Sequence, residues 1–530
     1  MNNRREGLRT LGLFVVCSLA TIGSILAADL QVGVDMPTHL SMLRILRLAF
    51  EDPATFHATY GTRLLQPYWG YYAPVLLFSA VLPLDLAAKL VTGLALVGLP
   101  ISTALLARRE GLRPIVALPA FALCFNYSYW WGFIPFLCGV VAALFGLLVV
   151  LRYAGSPGLR NLGLLCLASL GVFVAHALAW LFFAVASAWL LLARVSRASW
   201  RRLAAGASAF ALPVALMVGW NHGLEKMVFH KWVLEHPARV PLGARAWDLP
   251  HIAFLSLDRT MEWVLLGLWV LLVLLAMVGP SDATRRRQCF RWGGLALIMF
   301  AGFWLLPQDI GGLSFVYQRP LLLALLFPLL CAPREQRFRR PFVLAGFTVV
   351  AFNLASSALM IHGFNHEMKD ARACLSHARP RSSLMGLMLD PTPVAVRYPL
   401  FLHVDNYHTY WNFGRVYTHS MDMVPTTPVY YKQRDFFYGP VPGFEWRPLT
   451  FRAEYGKNID YFLVHAPAYL QLEKFGRVPT DRLLLKEALA ESEIVCSEGQ
   501  WRLYAHRPGA QSSDPGPPAS SRVLPVDSGG

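Results

Sequence analysis

The chain has 530 residues, of which 55% are hydrophobic, and its mean hydropathy is +0.43. This composition excludes an ordinary soluble domain, and the length allows more than one domain. The net charge of +16 does not indicate nucleic-acid binding. Much of the arginine excess lies in short loops between apolar segments, where it orients a membrane protein and meets anionic headgroups.

Apolar segments long enough to cross a bilayer recur from residue 11 to residue 361 and then stop. The first runs from Leu11 to Ala27 and lacks a clear cleavage site, so we interpret it as an uncleaved span rather than a secretory signal. The predicted spans, about eleven by the length rule, cover residues 11–28, 86–107, 114–127, 132–151, 160–175, 177–193, 203–220, 260–279, 292–307, 319–333 and 341–361.

Clusters of arginine alternate with loops that contain no lysine or arginine, near residues 126–131, 174–177 and 308–318. Because basic loops stay in the cytoplasm, the N-terminus is predicted to be cytoplasmic, and an odd number of spans places the C-terminal domain outside. Many arginines and few lysines are typical of a GC-rich bacterial genome, which favours a bacterial inner membrane. The clusters comprise Arg4, Arg5 and Arg9; Arg108, Arg109 and Arg113; Arg152 and Arg160; Arg194, Arg197, Arg201 and Arg202; Arg285, Arg286, Arg287 and Arg291; and Arg334, Arg337, Arg339 and Arg340.

The predicted fold class is mostly α: a polytopic membrane domain at residues 1–361, followed by a smaller extracytoplasmic α/β domain at residues 362–507. Outer loops are expected at residues 29–85 and 221–258. Residues 508–530 have the composition of a disordered tail.

The short apolar segment at residues 71–84 is interpreted as a re-entrant or surface-lying helix, because counting it as a span would reverse the arginine pattern.

Within the C-terminal domain, strands are predicted at residues 383–390, 460–466, 492–498 and 500–507, the last two as a hairpin. Residues 363–378, 467–475 and 481–489 have helical patterns. The aromatic segment at residues 401–431 is interpreted as a binding loop. These elements together make an α/β domain.

Six of the eight cysteines lie in or beside predicted spans, where a cysteine usually acts as a small apolar residue. Cys374 and Cys496 lie in the outer domain, where they can pair if the compartment is oxidising. No Walker loop, dinucleotide-binding glycine motif or HExxH motif is present, which suits an active site that faces away from cytoplasmic nucleotides.

The first outer loop places an acid directly before an amphipathic helix. Pro37 suits a first helical turn, and Asp35 before it is a favoured N-cap. One interpretation is therefore a capped helix lying on the membrane surface. The other is a carboxylate held at the boundary between water and lipid, acting as a general base.

At this point the sequence resembles a family. An arginine-flanked first span, an outer loop with an early acid, the segments "MPTHLSMLRILRLAFED" and "QPYWGYYAP", many spans and an outer α/β domain look like the type-C (GT-C) glycosyltransferases. The resemblance implies transfer of a sugar from a polyprenyl-phosphate donor to a lipid or polysaccharide acceptor, with membrane lipids around the protein and no nucleic acid. Such enzymes often carry a pair of acids in this loop, whereas Asp35 has no adjacent acid and Asp29 lies six residues earlier.

The chemistry that the resemblance implies assigns roles to particular residues. Asp35 is the catalytic base, and cations stabilise the departing lipid phosphate. No metal ligand is assigned, and a divalent metal remains an open alternative. The candidates for binding substrate or lipid phosphate are Arg319, His39, Arg63, His176, His222 and Lys226, and those for stacking on sugars are Tyr68, Trp69, Trp130 and Trp131.

Each assignment has an alternative. The aromatic residues fit the interfacial belt of any membrane protein, and Arg319 fits a snorkelling anchor. His176, Gln308 and Asp309 lie in outer loops and either line a cavity or belong to the loops alone. His403, His408 and His419 with Asp405 and Asp422 match no zinc spacing, so a polar loop over the membrane cavity is expected there.

Two other functions compete with the transferase. A transporter or flippase for an envelope lipid tends to carry charged or broken helices at mid-membrane, whereas polar groups in this chain gather at the outer ends of the spans. A non-catalytic protein of envelope assembly is the third possibility, because Asp35 lacks an adjacent acid.

Overall fold

The computed structural model describes residues 2–64, 66–193, 200–224, 240–278, 282–310, 314–333, 339–416, 427–432, 459–466, 489 and 492–506. Most of these residues are helical. The helices are α1 (Asn2–Leu26), α2 (Met36–Glu51), α3 (Pro53–Thr59), α4 (Trp69–Ser79), α5 (Leu84–Arg109), α6 (Tyr127–Trp131), α7 (Ile134–Gly155), α8 (Leu159–Ala175), α9 (Ala177–Leu192), α10 (Trp200–Ser208), α11 (Ala211–Leu224), α12 (Leu242–Ala253), α13 (Arg259–Met277), α14 (Ala283–Leu305), α15 (Pro320–Leu326), α16 (Arg339–Leu375) and α17 (Tyr407–Asn412).

Several helices have the length and apolar composition of membrane spans, so the chain is an integral membrane protein. Among the described residues, six stretches qualify: Gly7–Leu26, Leu84–Arg109, Ile134–Gly155, Leu203–Trp220, Arg259–Met277 and Arg340–Leu375. Shorter apolar helices lie at Leu159–Ala175, Ala177–Leu192 and Pro320–Cys331. The structure therefore supports a membrane helical domain, while the count of eleven spans stays a prediction.

Two predicted spans have a different form in the structure. Residues 114–127 begin as a 3₁₀ helix, Pro114–Leu123, which is almost wholly buried and contains Pro119. Ten residues of 3₁₀ helix reach only about 20 Å, because each residue rises about 2 Å. The span predicted here is therefore not an α-helix over residues 114–123. Pro119 lacks the backbone N–H that an α-helix would use, which favours the 3₁₀ form, although α5 remains α-helical around Pro100.

The segment at residues 319–333 is likewise divided. It consists of α15 and a 3₁₀ turn, Phe327–Cys331, that contains a proline near its start. The segment at residues 71–84 falls mainly in α4, whose 11 residues span about 16 Å and are too short to cross the roughly 30 Å hydrocarbon core.

One end of the helical domain meets the C-terminal domain, and we call it the sheet-side end. There the Asn365 side chain on α16 accepts from Leu30 N–H (2.6 Å) and donates to Leu30 O (3.3 Å). At the opposite end Arg291 binds Glu110 through both carboxylate oxygens, at 3.2 and 2.8 Å. Two of the predicted arginine clusters, the one at residues 108–113 and the one at residues 285–291, therefore lie at the same end.

The C-terminal domain contains a five-stranded sheet in the order β3-β2-β5-β7-β6. Strands β2 and β3, and β2 and β5, are parallel, while β5–β7 and β7–β6 are antiparallel. A separate pair, β1 with β4, joins the first loop to this domain. The strands are β1 (Tyr60–Thr62), β2 (Ser383–Met388), β3 (Arg415–Val416), β4 (Val429–Tyr431), β5 (Tyr461–His465), β6 (Ser492–Glu498) and β7 (Trp501–His506).

The four predicted strands are confirmed, including the hairpin, which turns at Gly499 with φ +47°. The helix predicted at residues 363–378 forms the end of α16. The helix predicted at residues 467–475, that at 481–489 apart from Leu489, and the tail at 508–530 lie outside the described residues.

The expected binding loop at residues 401–431 is in part the interior of the C-terminal domain, so that prediction is wrong for residues 404–409. Asp405 and His408 are fully buried. Asp405 accepts from Gly386 N–H at 3.2 Å, and a Cβ at Gly386 would collide with that carboxylate. His408 Nε2 lies 3.1 Å from Ser382 Oγ, so both polar groups support the sheet. Residues 417–426, with His419 and Asp422, lie outside the described residues.

A disulfide joins Cys374, near the end of α16, to Cys496 on β6. It closes a loop with a sequence separation of 122 residues. By the chain-entropy argument a loop of this length lowers the entropy of the unfolded chain by an amount worth about 4–5 kcal/mol. The bond fastens the last long helix to the antiparallel edge of the sheet.

Candidate functional site

The position of Asp35 is set by contact between two loops. Val34 N–H donates to Trp130 O (3.0 Å), and Asp35 N–H donates to Trp131 O (2.9 Å). The close approach requires glycine at Gly132, which has φ +88°, because a Cβ there would lie 2.8 Å from the Asp35 nitrogen. The acid is therefore fixed between the start of α2 and the end of α6.

The Asp35 carboxylate makes no capping hydrogen bond to α2, and the residue has helical rather than extended backbone angles. The N-cap interpretation of this carboxylate is therefore wrong, although Pro37 lies in the first turn as predicted. Instead, Asp35 Oδ1 lies 3.5 Å from His403 Nε2, a residue of the C-terminal domain. The Asp35 carboxylate thus contacts the C-terminal domain rather than the first turn of its own helix.

Two neutral imidazoles accompany the carboxylate. Burial lowers the pKa of His403 to about 4, and its Nδ1 has no hydrogen-bond partner among the described residues. Burial also lowers the pKa of His39 to about 4, although a hydrogen bond with the Gly132 backbone acts in the opposite direction. His39 Nδ1 lies 2.6 Å from the Tyr72 hydroxyl. Both rings are therefore uncharged near pH 7.

Arg319 is a buried cation with few partners. It precedes α15 and is only 5% exposed, and its guanidinium lies 4.0 Å from the centre of the Phe133 ring. The one hydrogen bond of its guanidinium to a described residue goes to Ser314 O (3.0 Å), while its Nε has none. Phe133 belongs to the same loop as Trp131, whose carbonyl accepts from Asp35 N–H, so one loop contacts both charged residues.

His176 lies between α8 and α9, beside the same arginine. Its Nδ1 accepts from the backbone N–H of Leu178 (3.2 Å) and Ala179 (3.4 Å), which leaves the proton of the neutral ring on Nε2. The Tyr68 ring contacts it edge-on, with 4.5 Å between ring centres. Burial and the charge of Arg319 lower the pKa of His176, so His176 is a neutral helix cap in the wall of the site.

The predicted sugar-stacking residues have unequal positions. Trp131 stacks on Tyr127 and lies 4.0 Å, centre to centre, from Phe315, so it belongs to an aromatic wall next to Asp35. Trp130 is fully buried, and its indole N–H donates to Phe125 O (3.0 Å), which assigns it to internal packing. Trp69 donates to Leu64 O and is partly exposed.

Three other candidates are not brought to Asp35 by any described contact. Arg63 donates to Thr427 Oγ1 (2.8 Å) and lies over the Tyr430 ring, so it ties the first loop to β4. The His222 side chain and all of Lys226 lie outside the described residues.

The loop residues Gln308 and Asp309 lie close to Arg319 in the chain. The Gln308 side chain accepts a hydrogen bond from Gln318, the residue directly before Arg319. Burial raises the pKa of Asp309.

Two contributors to the site were not predicted as site residues. His403 was expected in a polar loop over the membrane cavity but was not linked to Asp35, and Tyr398 was not singled out. The Tyr398 ring lies edge-on to Trp131 and Tyr127, at 5.7 and 5.9 Å between centres. Both residues come from the C-terminal domain, and no spacing in the sequence links them to residue 35. Within the described residues, no group of three or more His, Cys, Asp or Glu side chains has the arrangement of a metal site.

No profile of a known protein family matches the chain, and no curated protein sequence matches it significantly. The chemistry of the site therefore rests on its own geometry. The site combines a carboxylate, two neutral imidazoles, a buried guanidinium and an aromatic wall at one end of a membrane domain. These groups suit a proton transfer beside a developing negative charge.

Proposed function

We propose that the protein is a membrane glycosyltransferase of the GT-C type. It transfers a sugar from a polyprenyl-phosphate donor to the hydroxyl of a lipid or polysaccharide acceptor. The observation that carries the proposal is that one short loop contacts both charged residues: Asp35 N–H donates to Trp131 O, and the buried, sparsely bonded guanidinium of Arg319 lies over the Phe133 ring. One group accepts a proton, and the other receives a phosphate.

In the proposed step, Asp35 accepts the proton of the acceptor hydroxyl as that oxygen attacks the anomeric carbon of the sugar. The bond between the anomeric carbon and the phosphate oxygen breaks, and the lipid phosphate leaves with the electron pair. The protonated Asp35 then gives its proton to water. General-base catalysis of this kind contributes about 10²–10⁴-fold in rate.

Arg319 stabilises the negative charge that develops on the leaving phosphate. Its guanidinium fork can donate two parallel hydrogen bonds to phosphate oxygens, and its Nε has no described partner to lose. The apolar helix α15 begins at the next residue. A phosphate bound at Arg319 thus lies where a lipid-linked donor would leave the hydrocarbon layer.

The sheet-side end is proposed to face the outside of a bacterial inner membrane, with the N-terminus in the cytoplasm. The alternation of arginine clusters supports this orientation. The Cys374–Cys496 disulfide supports it independently, since disulfides persist mainly in oxidising compartments.

The test uses purified protein in lipid nanodiscs with a panel of radiolabelled polyprenyl-phosphate pentoses and hexoses and an envelope-glycan acceptor. The wild type is expected to release lipid phosphate and label the acceptor. Asp35→Asn is expected to fold normally and to reduce transfer by about 10²–10⁴-fold. Asp29→Asn, a change to an exposed acid in the same loop, is the matched control and should retain transfer.

Full transfer by well-folded Asp35→Asn would remove the acid from the mechanism. Movement of intact donor across the bilayer by the wild type, with no labelled acceptor, would instead identify a transporter. If the wild type neither transfers the sugar nor moves the donor, for every donor in the panel, the proposal is overturned and a non-catalytic role in envelope assembly is favoured.

A further inference from the structure

A cavity lies between the first loop and the C-terminal domain, away from Asp35. Its volume is about 290 Å³, and α2, α3, β1, β3 and β4 all contribute to its lining. Leu48 on α2 lines it, 13 residues beyond Asp35. At 1.5 Å per residue, that spacing places the cavity about 20 Å along the helix from the proposed base.

Two arginines give the cavity its charge. Arg381 lies in the turn between α16 and β2, and Arg415 lies on β3 with its guanidinium 4.5 Å from the centre of the Tyr431 ring. None of the described lining residues is acidic. The nearby acid Asp52 caps α3 by accepting from Thr55 N–H (3.1 Å), and Arg381 is close enough for its charge to act on it.

The backbone holds Arg381 in an unusual conformation. Its φ is +61°, a value that residues other than glycine rarely adopt, and its N–H donates to Asn412 O at 2.9 Å. Such a conformation costs about 1–2 kcal/mol and is often retained where a side chain must be presented to a ligand. The turn therefore supports a function for the side chain.

Aromatic rings complete the cavity. Tyr60 and Tyr431 are register partners in the β1–β4 pair, with 5.0 Å between ring centres. Phe413, just before β3, also lines the cavity. Thr59 adds a hydroxyl at the exposed end of α3. Ligand pockets commonly combine apolar and aromatic walls with a few polar groups. In this cavity the charged polar groups are the two arginines, so it suits an anion.

We propose that this cavity, the arginine pocket, binds an acidic sugar that carries a carboxylate or phosphate group. The guanidinium groups match the planar oxygens of such an anion, and the rings offer faces to the sugar. Because the pocket lies about 20 Å from Asp35 along α2, it binds a distal unit of an extended glycan acceptor. The acceptor assignment rests on the proposed function, whereas the binding itself does not.

The test is isothermal titration of the purified full-length protein with glucuronic acid, glucose 6-phosphate, glucose and inorganic phosphate. Both acidic sugars are expected to bind at least about tenfold more tightly than glucose, because a charged hydrogen bond is lost without the anion. Their affinity should fall as salt is raised. Both should also bind more tightly than inorganic phosphate, which has no sugar ring.

Arg381→Gln and Arg415→Gln should each weaken binding of the acidic sugars by about tenfold or more. Arg379→Gln is the matched control, since Arg379 lies in the same turn and is exposed, as Arg381 is, but does not line the pocket. If either arginine variant fails to fold, Thr59→Asp supplies the test, because it adds a repelling charge at an exposed position.

Failure of every acidic sugar to bind the wild type would overturn the proposal, as would equal binding by inorganic phosphate. Binding that survives all three substitutions would place the site elsewhere. Asp35→Asn should bind the acidic sugars normally. The two proposals can therefore fail separately. Loss of the transferase proposal would leave acidic-sugar binding intact, and absence of acidic-sugar binding would leave the transferase proposal intact.

Discussion

Arg245 and Arg319 are both buried near the sheet-side end of the helical domain, at 6% and 5% exposure, and each guanidinium lies over an aromatic ring. Arg245 donates to the carbonyl oxygens of Val240, Phe303, Trp304 and Leu306, at 2.8–3.2 Å. Arg319 donates to a single described carbonyl, and its Nε is left without a described partner.

The difference is the one expected between a structural cation, Arg245, and the cation proposed to bind phosphate, Arg319. Arg245 neutralises the unsatisfied carbonyls at the end of α14, where a positive charge is also favoured by the helix dipole. Arg319 is buried at a desolvation cost that its protein partners do not offset. A buried cation of this second kind is stabilised when an anion arrives, which is the behaviour expected of a phosphate-binding group.

The largest effect should come from Arg319→Ala. We expect donor kcat/KM to fall by about 10²–10³-fold, the usual cost of removing a group that stabilises developing charge. Thermal stability should be unchanged or higher, because a poorly compensated buried charge has been removed. Steady-state kinetics with a polyprenyl-phosphate sugar and thermal unfolding in detergent measure the two effects.

Arg319→Lys is the control for this substitution. It keeps the charge but lacks the planar fork, so it should restore activity only in part. Normal donor kinetics in Arg319→Ala would reduce Arg319 to a membrane anchor.

Arg245→Met should show the opposite behaviour. It leaves at least three helix-end carbonyls without a donor, at a cost of about 1–3 kcal/mol for each buried group that stays unsatisfied. We expect a clear loss of thermal stability, while the kcat of the folded fraction stays within about twofold of wild type, since Arg245 supplies no group to the proposed step. A stable Arg245→Met protein with impaired donor kinetics would remove the distinction between the two arginines.

The membrane helices and the sheet were predictable because their signals are local. The apolar segments and the four strand patterns are each contained within short stretches of sequence. The structure has long apolar helices at six of the predicted spans and strands β2, β5, β6 and β7 at the predicted strands. The 3₁₀ helix at Pro114–Leu123 was missed because its residues are apolar enough for a span. Only its prolines and its burial against neighbouring helices distinguish it.

The candidate site was only partly predictable, because its residues come from distant parts of the chain. Asp35 and Arg319 stand out locally as an acid before a helix and a cation at the start of an apolar segment. His403 and Tyr398 reach the site only because the C-terminal domain packs on the sheet-side end. Asp35 also fits a helix cap in the sequence, whereas the loop at Trp131 and Gly132 that fixes its backbone lies about a hundred residues away.

His403 should make stability depend on pH. A histidine with an unfolded pKa near 6.5 and a folded pKa of about 4 binds more protons when unfolded, so the free energy of unfolding falls as pH drops from about 6.5 to 4. This contribution amounts to about 2 kcal/mol, since the ring keeps some exposure. Stability above pH 6.5 is unaffected by it.

His403→Asn is therefore expected to lose less stability than wild type between pH 6.5 and pH 4. The control is His57→Asn, at an exposed position in the last turn of α3, which should follow the wild-type curve. Thermal unfolding across this pH range measures the difference. Parallel curves for His403→Asn and wild type would show that the pKa of His403 is the same in the folded and unfolded protein.

The smallest effect is expected for Arg63, a third arginine at this end of the molecule. It is partly exposed and bonded to Thr427, where it joins the first loop to the C-terminal domain. We expect Arg63→Gln to cost less than about 1 kcal/mol, the usual range for an exposed polar contact, because glutamine can still donate to the Thr427 carbonyl. Donor kinetics should stay within about twofold of wild type. A large rise in donor KM would instead identify Arg63 as a phosphate ligand together with Arg319. Burial with few protein partners would then no longer distinguish a phosphate-binding arginine from a structural one.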